Sequence, residues 1–146
     1  MSTRVITDEA ELKNVADELL AFLWVADGAS VLALQGDLGV GKTSLTKAIA
    51  RVLGIEDHVT SPTFVIMKSY PIPPPHQFST LTHIDAYRIE SDDELRVLGF
   101  EELLREPKRL MVIEWPERIS GQIPPHAVHV RIEIGSNGER TITYGE

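Results

Sequence analysis

The chain contains no cysteine, which excludes disulfides and thiolate metal centres and suits a reducing compartment. It has no apolar run near the roughly 18 residues of a membrane span and no signal-peptide pattern at its start, so a cytoplasmic protein without membrane attachment is expected. Positive charge is scarce: 14 Lys and Arg stand against 22 Asp and Glu, for a formal charge of −8. A protein that grips nucleic acid alone neutralises phosphates with a basic face. The only concentrated positive feature here is one glycine-rich loop, so direct tight binding of nucleic acid is not expected, while a protein partner stays open. Asparagine is nearly absent too. Asn14 and Asn137 are the only two and neither precedes lysine, so no N-K-x-D-like guanine reader exists. What is present is ordinary for a globular protein: 42% hydrophobic and 25% charged residues in 146. That length predicts one domain over 1–146, burying about two thirds of its surface on folding.

The residues Gly36, Asp37, Leu38, Gly39, Val40, Gly41, Lys42 and Thr43 fit G-x-x-x-x-G-K-[ST], a phosphate-binding loop. The run 30–35 before it reads as a short buried strand. The run 44–53 after it reads as a helix with Leu45, Ile49 and Val52 on one stripe. Strand, glycine loop and helix are the context this motif requires. The glycines let backbone N–H groups turn inward around an anion, and the helix N-terminus beginning near Ser44 adds partial positive charge. Lys42, expected on a solvent-facing loop, would reach the β- and γ-phosphates, and the Thr43 hydroxyl would bind Mg²⁺.

The first helix is expected to be capped by Thr7 and to run, on Leu12, Val15, Ala16, Leu19, Phe22 and Leu23, to Asp27-Gly28. Thr60-Ser-Pro-Thr-Phe64 opens a strand through Tyr70, with three hydroxyls on an extended loop. A nucleotide-ordered switch and a polar loop without a task both fit that loop. Residues 80–87 alternate as a half-buried strand, with His83 and Asp85 on one side, read as a polar cluster facing the phosphates rather than a zinc site. Ser91-Asp-Asp-Glu94 is a capping box starting a short helix, and a second charged helix covers 101–105. Arg109-Leu-Met-Val-Ile-Glu114 has the form of a central strand whose terminal carboxylate meets the ligand, which points to Mg²⁺ for Glu114. Trp115 follows directly; core, base-stacking and partner contact all fit it. The chain ends in a hairpin, with Val128 to Ile134 alternating, Ser136-Asn137-Gly138 turning and Thr141 to Tyr144 returning. The expected fold is thus α/β, of the P-loop NTPase class: three layers, a mostly parallel central sheet, and a C-terminal antiparallel hairpin.

Four motifs in order, G-D-L-G-V-G-K-T at 36–43, S-P-T-F at 61–64, H-I-D-A-Y-R at 83–88 and E-W-P-E at 114–117, resemble the TsaE-type ATPases of bacterial tRNA threonylcarbamoyladenosine biosynthesis. The likeness extends from the first helix to the hairpin. It implies an ATPase that joins the two-protein synthase placing threonylcarbamoyl on adenosine 37 of tRNAs reading codons that begin with A. Hydrolysis in that family is slow, depends on the partner complex and resets the synthase, and tRNA is met only indirectly. The resemblance implies phosphate binding for residues 36–43, Mg²⁺ binding for Thr43 and Glu114, and switch character for Thr63. It also implies functional roles for Asp85 and Trp115 and a contact near the base for Arg140. One departure is visible: where the family often has a threonine early in the first helix, this chain has Asp8-Glu-Ala-Glu11, and Thr7 is the nearest hydroxyl.

Two other classes compete. A small-molecule kinase needs a mobile lid and an arginine cluster, whereas the nine arginines here are scattered singly. A GTPase needs the missing guanine reader, so ATP is preferred. The expected chemistry is Mg²⁺-assisted attack of water on the γ-phosphate, with Lys42 and the loop amides stabilising charge and Asp85 positioning the water or steadying the metal's water shell. Trp115, beside the γ-phosphate position in an acidic protein, is expected to anchor the protein partner, since Trp is enriched at interface hot spots.

Overall fold

Two apolar runs without alternation, 31–34 and 110–113, are buried on both faces and form the middle of a sheet. The structure, a computed structural model, describes residues 2–62 and 65–145. In chain order the elements are β1 (Ser2–Ile6), α1 (Leu12–Phe22), β2 (Ser30–Gln35), α2 (Lys42–Val52), β3 (Met67–Pro71), β4 (Thr80–Asp85), α3 (Asp92–Val97), α4 (Phe100–Leu104), β5 (Arg109–Glu114), β6 (Val128–Ile134) and β7 (Arg140–Gly145). The seven strands make one sheet in the order β1-β7-β6-β2-β5-β4-β3. On one face α1 and α2 cover Leu32, Leu34, Leu110 and Val112. On the other, residues of α3, α4 and the 3-10 segment Pro116–Gln122 cover Val31, Ile84, Met111 and Ile113. Both faces are therefore closed, as a three-layer α/β architecture requires.

The sheet is mixed rather than mostly parallel. The pairs β6–β2, β2–β5 and β5–β4 are parallel. The pairs β1–β7, β7–β6 and β3–β4 are antiparallel. A parallel pair needs a long crossover, whereas the connections β3–β4 and β6–β7 are short enough for antiparallel neighbours. The hairpin of β6 and β7 does not stand apart: β6 lies parallel to β2 and continues the sheet.

Other expectations are corrected at element ends. Asp8, not Thr7, caps the start: its Oδ1 accepts from the Ala10 amide at 2.9 Å and opens a 3-10 turn over Glu9–Glu11. Helix α1 stops at Phe22, because Leu23 turns extended, and does not reach Gly28. The strand expected from residue 60 is confined to Met67–Pro71, since the Pro62 carbonyl accepts from the Val65 and Ile66 amides and bends the chain. Strand β4 is not half-buried. Packed between β3 and β5 with both faces covered, it buries Thr82, His83 and Asp85. The capping box at Ser91 forms, with both Ser91 and Glu94 side chains engaged. Among the described residues no helix is long and apolar enough to cross a membrane.

Candidate phosphate site

Strands β2, β4 and β5 end side by side, so their C-terminal residues meet at one edge of the sheet: Leu34 is paired with Glu114, and Glu114 with Asp85. Ligands of open α/β sheets bind at such an edge, where connections leave in opposite directions. The chain leaves β2 through Gly36, where a Cβ would lie 2.7 Å from the Ile132 carbonyl oxygen and 2.6 Å from Val40 Cγ2. Only glycine lets the loop pass so close to β6. Gly41, at φ 108°, then turns the chain into α2 in a conformation that other residues resist. The amides of Lys42, Thr43 and Ser44 open α2 and have no intrahelical acceptor, so they form an anion-binding end.

Beneath that end lies a cavity of about 310 Å³ lined by Leu38, Gly39, Gly41, Lys42, Thr43, Ser44, Ser61, Asp85, Glu114, Trp115 and Arg140. The Thr43 hydroxyl donates to the Glu114 carboxylate, 3.2 and 3.1 Å from its two oxygens. Glu114 Oε2 also meets His83 Nε2 at 2.5 Å. Asp85 Oδ1 accepts from the Tyr87 amide at 3.0 Å, and its Oδ2 accepts from the Ser61 hydroxyl at 3.3 Å. Lys42 is buried, not solvent-facing: it folds back over its own loop, donating to the carbonyl oxygens of Gly36 and Asp37. Its amine also lies 3.8 Å from the centre of the Trp115 ring. Burial holds the Lys42 pKa below the ordinary lysine value, against the opposing pull of Glu114, Glu117, Asp85 and Asp37.

Trp115 is half-buried, in left-handed backbone (φ 61°), and packs on Tyr87 with ring centres 4.9 Å apart. Arg140, the first residue of β7, places its guanidinium over Gly41, where a Cβ would be 3.1 Å from Nη1. It also lines a smaller cleft with Ile6, Thr7, Asp8, Glu9 and Gly138. Not every expected residue meets the cavity. Gly36, Asp37 and Val40 line a separate hollow on the outer side of the loop, the Val40 side chain being buried. Thr63 lies outside the described residues. Two contacts were not legible in the sequence, the bond from Ser61 to Asp85 and the one from His83 to Glu114. The first depends on where the chain before β3 runs and the second on cross-strand register, though the alternation in β4 did put His83 and Asp85 on one side.

Thr43 and Glu114 offer the hard oxygen ligands that Mg²⁺ prefers. Among the described residues no three His, Cys, Asp or Glu side chains converge as a metal cage. A cation at Thr43 and Glu114 would complete its shell with phosphate and water oxygens, the usual arrangement for Mg²⁺.

The profile of the family described as "Threonylcarbamoyl adenosine biosynthesis protein TsaE" matches residues 6–142. The chain belongs to the TsaE family. Its similarity to a TsaE from Treponema pallidum is 34% identity over 141 residues, covering 97% of this chain and 96% of that one. A TsaE from Bacillus subtilis is 38% identical over 134 residues, covering 92% of this chain and 78% of the relative. Both relatives are named tRNA threonylcarbamoyladenosine biosynthesis proteins. The crystal structure of Bacillus subtilis YdiB superposes with a TM-score of 0.76 at 31% identity, over 98% of this chain and 83% of that one. All four motifs fall within or at the span matched by the TsaE profile, and Arg140 does as well.

Proposed function

We propose that the protein is a P-loop NTPase that binds ATP with Mg²⁺ at the α2 N-terminus and hydrolyses it slowly unless stimulated by a partner. In this reading it works in the cytoplasm with the two-protein threonylcarbamoyl synthase on adenosine 37 of tRNAs reading codons that begin with A. The observation that carries the reading is the bond between the Thr43 hydroxyl and the Glu114 carboxylate beside Lys42, at the mouth of a glycine loop.

The loop amides and α2 N-terminus hold the phosphates. Lys42 exchanges the carbonyl oxygens of Gly36 and Asp37 for phosphoryl oxygens and stabilises the charge that develops on them. Thr43 and Glu114 are the residues that would hold the cation, and bound Mg²⁺ would supply neutralisation of the phosphate charge. Asp85 lies one strand away from Glu114 and orients the attacking water. Arg140, which lines both the phosphate cavity and the cleft beside Thr7, takes the nucleoside end. Thr63 is the nucleotide-sensing hydroxyl of the 61–64 loop. Trp115 borders the cavity and presents its exposed part to the partner. No arginine besides Arg140 lines the cavity among the described residues, which favours a catalyst completed in trans, an effect worth about 10³–10⁵ in rate.

The test is ATP turnover by the purified chain, alone and with the synthase proteins. Slow turnover alone, stimulated by the partners and abolished in Lys42→Ala, is the expected result. Transfer of phosphate to a small acceptor, or turnover indifferent to Lys42, would overturn the reading.

A further inference from the structure

Of the buried polar side chains near the C-terminal ends of β4 and β5, Asp85 and Glu114 have a place with water and cation, and His83 has none. His83 is wholly buried in β4, and nothing in the proposed chemistry uses it. Its Nε2 sits 2.5 Å from Glu114 Oε2, on the carboxylate whose two oxygens also accept from Thr43. Register does not pair the two residues. His83 is opposite Val112, and its side chain reaches along the sheet to the end of β5. A carboxylate can only accept, so Nε2 carries the proton. Nδ1 is buried and has no hydrogen-bond partner among the described residues. A second N–H there would be an unsatisfied buried donor, so the donor the ring puts to use is Nε2.

A buried histidine kept at such a place costs desolvation, and an apolar residue would fill β4 more cheaply. On the same face of the strand, Leu81 shows what the core itself requires. From this geometry we propose that His83 is a positioning residue, which through Nε2 fixes the rotamer of Glu114 and so sets the affinity of the site for a divalent cation. The inference rests on the assignment of Glu114 to the cation. Partners of this kind orient metal ligands, and their loss costs about 10–100-fold in metal affinity.

The experiment compares His83→Gln with His83→Met. Gln keeps a donor near the Nε2 position, and Met has similar length without one. Calorimetric titration with ADP, first in EDTA and then at increasing Mg²⁺ or Mn²⁺, reads the cation concentration that half-saturates the tightening of nucleotide binding. His83→Met is expected to raise that concentration about 10–100-fold while leaving metal-free ADP affinity within about twofold. His83→Gln is expected to recover most of the difference. A His83→Met protein with wild-type cation dependence overturns the proposal, as does one whose metal-free affinity falls equally, since that is a general structural loss. If His83→Met does not fold, His83→Gln keeps the proposal falsifiable: with the donor retained, a lost cation dependence overturns it. Wild-type protein whose ADP affinity ignores both cations would instead overturn the assignment of Glu114, and this proposal with it.

Discussion

The amine of Lys42 lies 3.8 Å from the centre of the Trp115 ring, so the first residue of α2 touches the first residue beyond β5 across the candidate phosphate cavity. A cation against a half-exposed aromatic face is worth about 0.5–1 kcal/mol. Here it parks the lysine over its own loop, bonded to the carbonyl oxygens of Gly36 and Asp37. If the site takes phosphate as proposed, phosphate must compete with these contacts, and Trp115 stands where that competition can be sensed.

The burial of Lys42 predicts a pH dependence. Burial penalises the charged amine and holds its pKa below 10.5. As pH rises, Lys42 therefore loses its proton earlier than an ordinary lysine, and the neutral amine no longer pairs with phosphate. Nucleotide affinity should be steady near neutrality and fall at alkaline pH, beginning below 10.5. Lys42→Ala should lose about 10–100-fold in affinity, the worth of charge-assisted hydrogen bonds, and its alkaline fall should vanish. Calorimetry across the pH range checks both; an alkaline fall that persists in Lys42→Ala would assign it to another group.

The loop glycines should differ sharply from one another. A Cβ at Gly36 would press on the Ile132 carbonyl oxygen, which the sheet holds in place, while one at Gly39 would meet nothing within 4 Å. Gly36→Ala should therefore cost about 1–3 kcal/mol through overpacking and displace the loop, with a loss of nucleotide affinity. At Gly39 the demand is only the positive φ of 79°, which asparagine tolerates. Gly39→Asn should melt close to wild type. Equal melting of the two variants would show that β6 gives way.

Glu114→Gln keeps the shape and hydrogen-bonding reach of the side chain and removes its charge. Metal-free nucleotide affinity should stay near wild type, while partner-stimulated hydrolysis should fall about 10²-fold or more, as on loss of one charge-stabilising group. Glu114→Ala is the harsher change. It strands the buried Nε2 of His83 and the Thr43 hydroxyl, at about 1–3 kcal/mol for an unsatisfied polar group. A Glu114→Gln protein with normal turnover in the full complex would return Glu114 to a structural role.

What could be read without the structure was local. The six residues Arg109–Glu114 have the strand bounds that their apolar run announces, and the glycine loop has the flanks its motif requires. Strand β1 was not legible: Ser2–Ile6 is short, largely exposed, and held by pairing with β7 at the far end of the chain. Strand direction was equally hidden, which is why three antiparallel pairs replaced a mostly parallel sheet. The contact of His83 with Glu114 needs β4 beside β5 in one register, and Lys42 turns inward because Trp115 and two carbonyls receive it. Such facts are tertiary, and no window of sequence contains them.

Trp115 offers the last test, because its position gives its two roles different consequences. The ring is half-buried, packed on Tyr87 and Lys42 and against the core beneath α3 and α4, and the rest of it is exposed. Full truncation of a core aromatic costs about 3–5 kcal/mol; a half-buried one should cost less than about 3. Trp115→Ala, at φ 61°, adds a little backbone strain whichever role is right, and Trp115→Phe controls for it by keeping most of the packing. If Trp115 anchors the partner, Trp115→Ala folds, binds ATP within a fewfold of wild type, and fails both to assemble with the synthase and to be stimulated by it. Trp115→Phe should then assemble weakly, having lost the indole N–H and part of the surface. Melting, calorimetry and a pull-down on both variants separate the cases. A loss of more than about 3 kcal/mol in Trp115→Ala would make the residue core, and a stable Trp115→Ala that assembles and is fully stimulated would remove it from the interface.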